Sequence, residues 1–208
     1  LTNSGTFIAN NNTTTTLTGT ITNSGSISLN SVGNFTDLAL NGNVTLTGGG
    51  TLTLTLADRI LGSATLTNTN NTIQGGMNSA GNLGNNSIDI VNQAGGLISA
   101  NVSGQNLLID PSAAAGLIND GTMQATNGGI LLLGGNGGGD FTNSGTITAV
   151  GSSTVQVTGT LTSSGLVDIG SGTLSVTGGG TYAQTAGTFR QAGGTVTSST
   201  ALNFMGGL

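Results

Sequence analysis

Aspartate is the only acidic residue type in this 208-residue sequence, and its spacing is the first feature that could support chemistry. Three pairs of aspartates are separated by 21, 21 and 20 residues: Asp37 and Asp58, Asp89 and Asp110, and Asp120 and Asp140. If a structural repeat brought these carboxylates together, they could bind Ca²⁺, which takes several oxygen ligands, or form the acid pair of a polysaccharide hydrolase. We favour the simpler interpretation that each Asp caps a turn, as in Asn119-Asp120-Gly121. The sequence therefore predicts no catalytic residue and leaves calcium as an alternative.

The residue types that the chain lacks restrict its chemistry. It contains no Lys, Glu, His, Cys or Trp. Without His or Cys there is no ligand set for zinc or haem. Without His or Lys there is no Ser-His-Asp relay, Schiff base or phosphate-binding Walker lysine. Because two Arg and one Tyr also give little with which to hold a sugar, we predict that the protein is not an enzyme and has no cofactor, with calcium as the alternative.

Charge and hydropathy exclude two kinds of partner. The net charge is −5, and the only cationic side chains are Arg59 and Arg190, too few to neutralise a nucleic-acid backbone. The longest apolar run has four residues, at 130–133, so we predict no membrane insertion. Because the sequence starts at Leu1-Thr2-Asn3 without an initiator Met or a signal segment, we expect a fragment or processed part of a longer repeat protein.

Apolar and hydroxyl residues alternate strictly along much of the chain. The segments 51–56 (TLTLTL) and 154–158 (TVQVT) are examples. Alternation with a period of two indicates half-buried strands. Helical spacing is nearly absent, and Gly and Thr are poor helix formers.

The strands recur together with the turns that separate them. LTNSGTF begins at Leu1, ITNSGSI at Ile21, FTNSGTI at Phe141 and LTSSGLV at Leu161. Such a unit cannot bury its own apolar face and must stack on copies of itself. The sequence therefore predicts an all-β fold, a single-stranded right-handed parallel β-helix (β-solenoid) of about 19 to 27 residues per coil, which forms one domain over residues 1–208.

The third position of the repeat predicts a ladder of turn residues: Asn3, Asn23, Asn119, Asn143 and Ser163. Asn tolerates the left-handed conformation of a corner, and its amide can hydrogen-bond to the same position one coil away. We expect the glycine that follows in N-S-G to supply the positive φ of the turn. In one coil we expect the inward side chains to be Val155, Val157, Leu161, Val167, Ile169, Leu174 and Val176. The Gly-rich stretch 134–140 is predicted to be a corner loop.

On LTNSGTF, ITNSGSI, FTNSGTI, VTLTGGGTL and LSVTGGGTY, the chain resembles the β-helical regions of filamentous-haemagglutinin-like exoproteins and autotransporter passenger domains of bacteria. The resemblance implies an extracellular or cell-surface location and a structural or adhesive function. It also implies association end to end into a fibre, or an adhesin stalk. The expected partners are another copy of the chain or flanking coils of one longer chain, and a cell surface or glycan.

Outward threonines offer a further alternative. A regular Thr-x-Thr array on a flat solenoid face could template ice, and the pairs Thr20/Thr22, Thr65/Thr67 and Thr160/Thr162 fit this pattern. The array is interrupted around Leu117 and Phe141, where the equivalent positions carry other residues. The high β-propensity of Thr explains exposed threonines without a ligand.

Overall fold

The computed structural model describes residues 1–78, 80–134 and 139–205 and contains no helix in those ranges. It is a parallel β-solenoid of about nine turns with roughly 22 residues per coil, as predicted. The strands are β1 (Thr2–Asn3), β2 (Thr6–Asn10), β3 (Thr14–Asn23), β4 (Ser26–Asn30), β5 (Thr36–Thr47), β6 (Thr51–Leu56), β7 (Asp58–Gly62), β8 (Thr65–Asn68), β9 (Thr72–Met77), β10 (Asn82–Leu83), β11 (Asp89–Asn92), β12 (Leu97–Ala100), β13 (Asn106–Ile109), β14 (Leu117–Asn119), β15 (Thr122–Ala125), β16 (Ile130–Leu133), β17 (Phe141–Asn143), β18 (Thr146–Ala149), β19 (Thr154–Val157), β20 (Thr160–Ser163), β21 (Leu166–Asp168), β22 (Thr173–Val176), β23 (Thr181–Gln184), β24 (Thr188–Arg190), β25 (Thr195–Ser198) and β26 (Leu202–Phe204).

Strands from successive coils pair in parallel and form three faces, and the one antiparallel pairing among the described residues joins Asn106 of β13 to Met77 of β9. Face A comprises β1, the second halves of β3 and β5, and then β8, β11, β14, β17, β20, β23 and β26. Face B comprises β2, β4, β6, β9, β12, β15, β18, β21 and β24. Face C comprises the first halves of β3 and β5, and then β7, β10, β13, β16, β19, β22 and β25.

Two strands turn a corner without a break. The pairing of β3 with β5 shifts register between Leu17 and Gly19, and Gly19 has a φ of 66°. This bend takes β3 from face C to face A. At about 4.8 Å between paired strands, the coil stack is about 45 Å long.

Alternate side chains of every face point into a narrow core. All seven positions predicted to be inward are buried: Val155, Val157, Leu161, Val167, Ile169, Leu174 and Val176. They do not form one coil as predicted, because Leu174 and Val176 pair with Val155 and Val157 and therefore lie one coil later. The period-two pattern therefore predicts burial correctly, because each strand presents one face to the interior. Two of the aromatic rings, Phe141 and Tyr182, are buried in the same core.

The two ends of the stack differ. At the first coil, Leu1, Phe7, Leu17 and Leu38 help to line an open, mainly apolar cavity of about 250 Å³. At the last coils, Tyr182, Phe189 and Phe204 form an aromatic cluster with ring centroids 5.2 to 5.9 Å apart. A membrane-crossing helix is not found in the part of the chain that the structure describes.

Candidate functional site

A column of polar side chains, mostly buried amides, runs along face A. The five predicted ladder residues lie in it, and Asn68 and Asn92 belong to it as well. Side chains in neighbouring coils are joined by hydrogen bonds from Asn3 to Asn23 (2.7 Å), Asn68 to Asn92 (2.9 Å), Asn92 to Asn119 (2.7 Å), Asn119 to Asn143 (2.7 Å) and Asn143 to Ser163 (3.0 Å). In each bond an amide Nδ2 donates to the next side-chain oxygen. The column thus connects successive coils through the interior.

Asn71 joins the two parts of this column, and the repeat did not predict it. In the third coil Gly48 stands beside Asn23, so the column would be interrupted there. Nδ2 of Asn23 donates instead to Oδ1 of Asn71, at 3.0 Å. Asn71 and Asn68 then exchange two hydrogen bonds, from the backbone N of Asn71 to Oδ1 and from Nδ2 of Asn68 to the carbonyl of Asn71. One hydrogen-bonded series therefore extends from Asn3 to Ser163.

The conformational reason expected for this column is wrong. The ladder residues lie in extended strands, and the asparagines with positive φ are found elsewhere: Asn12, Asn85, Asn86 and Asn127. Gly25 and Gly145 of the N-S-G copies do not have positive φ either. They are required because an added Cβ would lie 2.0 Å from the carbonyl O of Gly5, or 2.2 Å from that of Gly121. The preceding coil, and not the turn, requires glycine at this corner.

The spacing of the aspartates does not stack their carboxylates, because local coil lengths differ from that spacing. In β5 and β7, Asp37 aligns with Arg59, 22 residues later. Asp58 lies one residue before the position that aligns with Asp37. Its side chain is fully buried, whereas that of Asp37 faces outward.

The other two pairs are also separated. Near Asp89, equivalent positions in successive coils are 27 residues apart in the sequence. Asp110 follows Asp89 by only 21 residues, so it lies at the end of a face C strand and not beside Asp89. Asp120 aligns with Ser144, whose Oγ donates to its carboxylate at 2.5 Å, while Asp140 lies at the other end of the face A strand. Among residues 1–78, 80–134 and 139–205, no group of three or more acidic, His or Cys side chains could hold a metal ion.

Two carboxylates are buried, and they differ in their surroundings. Asp58 accepts hydrogen bonds from the backbone N of Ser31 (3.0 Å), the backbone N of Thr55 (2.6 Å) and Oγ1 of Thr55 (3.1 Å). Oδ1 of Asp110 is buried and accepts none. Burial raises the pKa of both groups, and the hydrogen bonds from Thr55 and Ser31 oppose this rise only at Asp58.

Both arginines pair with an Asp of the preceding coil. Arg59 donates to the two carboxylate oxygens of Asp37 at 2.8 and 2.7 Å, and its guanidinium lies 3.7 Å from the ring centroid of Phe35. Arg190 pairs with Asp168 in the same register, and this hydrogen bond lowers the pKa of Asp168.

Threonines form short columns on the outside of face A. Thr20, Thr45 and Thr67 align in three successive coils, and beside them Thr22 aligns with Thr2 and Thr47. The next coils carry Val91 and Ile118 in the first column, followed by Thr142, Thr162 and Ala183. Of the predicted pairs, Thr65 aligns with Asp89 and Thr160 with Thr181. The continuous array is thus limited to the first coils.

The predicted Gly-rich corner loop at 134–140 is described only in part, since residues 135–138 lie outside the described residues.

Comparisons with known proteins identify no relative: no protein-family model, curated protein or solved structure matches the chain. The function is therefore argued from geometry.

Proposed function

We propose that the chain is a non-enzymatic structural segment of an extracellular bacterial surface protein, either an adhesin stalk or a unit of a fibre. The observation that carries the proposal is the amide column of face A, which links the coils from Asn3 to Ser163. A buried, satisfied hydrogen-bond network makes one register of stacking more favourable than others. Stiffness along the axis is what a spacer or fibre needs.

The polar groups of the interior support this interpretation. Each ladder amide that could act in chemistry is already bonded to a neighbouring coil; Asn119, for example, donates to Asn143 and accepts from Asn92. The two arginines, which could bind an anionic sugar, are paired with Asp37 and Asp168. Interior side chains and cations are thus used to hold coils together.

The first coil supports pairing with a further coil. Its apolar cavity is bordered by Phe7, which is 39% exposed although it stands directly over the buried Ile27. A paired coil would cover this cavity. It would also form hydrogen bonds with the unpaired backbone N–H and C=O groups at the edges of the three faces, as strand addition does in other complexes. That coil is supplied by a second copy or by the same polypeptide.

Electron microscopy of the purified chain tests the proposal. We expect straight rods whose lengths are multiples of about 45 Å. Compact particles without a long axis, or cleavage of a polysaccharide that is lost on Asp→Asn substitution, would contradict it.

The threonine columns favour ice binding as a second candidate. Thr20, Thr45 and Thr67 repeat at about 4.8 Å, the strand spacing, on a face whose strands carry no charged side chain in these coils. Thermal hysteresis that is abolished by Thr45→Lys and retained by Thr154→Lys, an outward threonine on face C, would support it. Absence of hysteresis in the wild type would exclude it.

A further inference from the structure

Asp110 is a buried carboxylate without the partners that a buried charge requires. It follows Ile109 at the end of β13 and is 6% exposed. Its backbone is fully engaged, since its N donates to the carbonyl of Leu83 and its carbonyl accepts from the N of Asn86, both at 2.8 Å. Its side-chain Oδ1 has no hydrogen-bond partner. A buried carboxylate oxygen without a partner is unfavourable, so a group from outside the chain or a proton would compensate it.

The same fold compensates its other buried carboxylate. Asp58 is fully buried and accepts three hydrogen bonds, from Ser31 and Thr55. The chain can therefore provide donors for a buried Asp where a corner permits it. At Asp110 it provides none to Oδ1, although the loop that contacts its backbone is rich in asparagine.

A second orphaned oxygen lies in β10, the strand that pairs with β13. Asn82 is one coil earlier, and its Oδ1 is also buried without a partner. The register of Leu83 with Ile109 places Asn82 just before this pair and Asp110 just after it. Leu83 and Ile109 are inward, so strand alternation puts Asn82 on the outward side, and Asp110 follows the last residue of β13 directly.

The loop between Asn82 and Ser87 adds oxygen ligands. Nδ2 of Asn82 donates to Oδ1 of Asn85 at 3.3 Å, which leaves Oδ1 of Asn82 free. Asn85 and Asn86 both have left-handed φ, and Asn86 is bonded to the Asp110 carbonyl. The neighbourhood therefore contains amide and carboxylate oxygens and no cationic side chain, since both arginines are paired elsewhere and the sequence has no Lys or His.

We propose that Asp110 and Asn82 bind a calcium ion through their side-chain oxygens. Hard oxygen ligands with flexible geometry suit Ca²⁺ better than softer metals or Mg²⁺, which requires a nearly ideal octahedron. The ion would supply the positive charge that the chain lacks and would fasten the coil of β10 to that of β13. With one carboxylate, the dissociation constant is expected at the weak end of protein sites, about 10⁻⁴ to 10⁻³ M.

Calcium titration of thermal unfolding tests the site. For the wild type we expect about 10 mM CaCl₂ to raise Tm by roughly 3 to 6 °C relative to EDTA, with a smaller effect of MgCl₂ at equal ionic strength. Asp110→Asn should lose this rise and be at least as stable as the wild type in EDTA, because the uncompensated charge is gone. Asn82→Ala, which keeps the carboxylate, should reduce the rise at least twofold. Asp120→Asn removes a carboxylate elsewhere and should keep it.

Equilibrium dialysis with calcium gives an independent measure, with one ion per chain expected and none for Asp110→Asn. A wild-type Tm that responds equally to CaCl₂ and MgCl₂ would overturn the proposal. Full retention of the calcium effect in Asp110→Asn would also overturn it. So would an Asp110→Asn variant that is more stable than the wild type in both EDTA and calcium, because a proton would then be the compensating group.

Discussion

Arg59 lies one coil beyond Asp37 on face C, and its guanidinium donates hydrogen bonds to both oxygens of that carboxylate. The same guanidinium packs against the ring of Phe35. The two side chains are only 21% and 15% exposed. Paired hydrogen bonds in a partly sheltered position are the arrangement in which an ion pair stabilises a fold measurably. This pair therefore contributes to coil-to-coil cohesion in the first third of the chain.

A double-mutant cycle should measure this contribution. We expect Asp37→Asn and Arg59→Met to show a coupling free energy of about 1 kcal/mol in urea unfolding, decreasing as salt is added. The pair of Asp168 and Arg190 is the control, since Arg190 is 64% exposed. Its coupling should be smaller, and equal coupling for the two pairs would contradict the role of burial.

The buried amide column should be sensitive to truncation. Asn119→Ala removes a side chain that donates to Asn143 and accepts from Asn92, and leaves buried groups unpaired. We expect a loss of about 1 to 3 kcal/mol in the free energy of unfolding, measured by urea denaturation. The exposed Asn30 is the matched control, and Asn30→Ala should change stability by less than about 0.5 kcal/mol. Similar losses in both variants would show that the column is not special.

The corner glycines provide a prediction with an internal control. A Cβ at Gly145 would lie 2.2 Å from the carbonyl of Gly121, whereas at Gly5 nothing lies within 4 Å. Gly145→Ala should therefore destabilise the protein by about 1 to 3 kcal/mol through overpacking. Gly5→Ala occupies the equivalent corner of the first coil and should be neutral or stabilising by up to about 1 kcal/mol. Equal effects on Tm would contradict a steric origin.

The repeat predicts the column wherever its unit is copied, even though the step from Asn119 to Asn143 is 24 residues and the step from Asn143 to Ser163 is 20. Ser163 was predictable because LTSSGLV copies the whole unit, so its third position aligns with Asn143. Asn71 was not, because Gly48 interrupts the alignment and a side chain from the next corner fills the gap. The aspartate spacing failed for a related reason: the gap from Asp120 to Asp140 is shorter than the 24-residue step to Ser144. The alternation of residue types determines which side of each strand faces the core, whereas the length of each corner determines which polar side chains lie next to one another.

Asp58 should make stability depend on pH. Burial raises its pKa above the ordinary value near 3.8, so the folded state holds the proton more tightly than the unfolded state. The contribution of Asp58 to stability is complete below its pKa in the unfolded state. It is lost as the pH rises through its pKa in the folded state. Urea unfolding in EDTA should thus show that the wild type loses more stability than Asp58→Asn as the pH rises above the unfolded-state pKa near 3.8. Parallel curves for the two proteins would contradict this assignment.

Sedimentation velocity of a matched pair of variants tests the proposal that copies of the chain pair end to end through the first coil. Phe7 borders the apolar cavity there, whereas its neighbour Ile8, 52% exposed, points to the outside of face B. At micromolar concentration we predict elongated oligomers for the wild type and for Ile8→Lys, and monomers for Phe7→Lys. A wild type that stays a stable monomer with the same sedimentation coefficient as Phe7→Lys would contradict end-to-end pairing between copies, and with it the fibre form of the account.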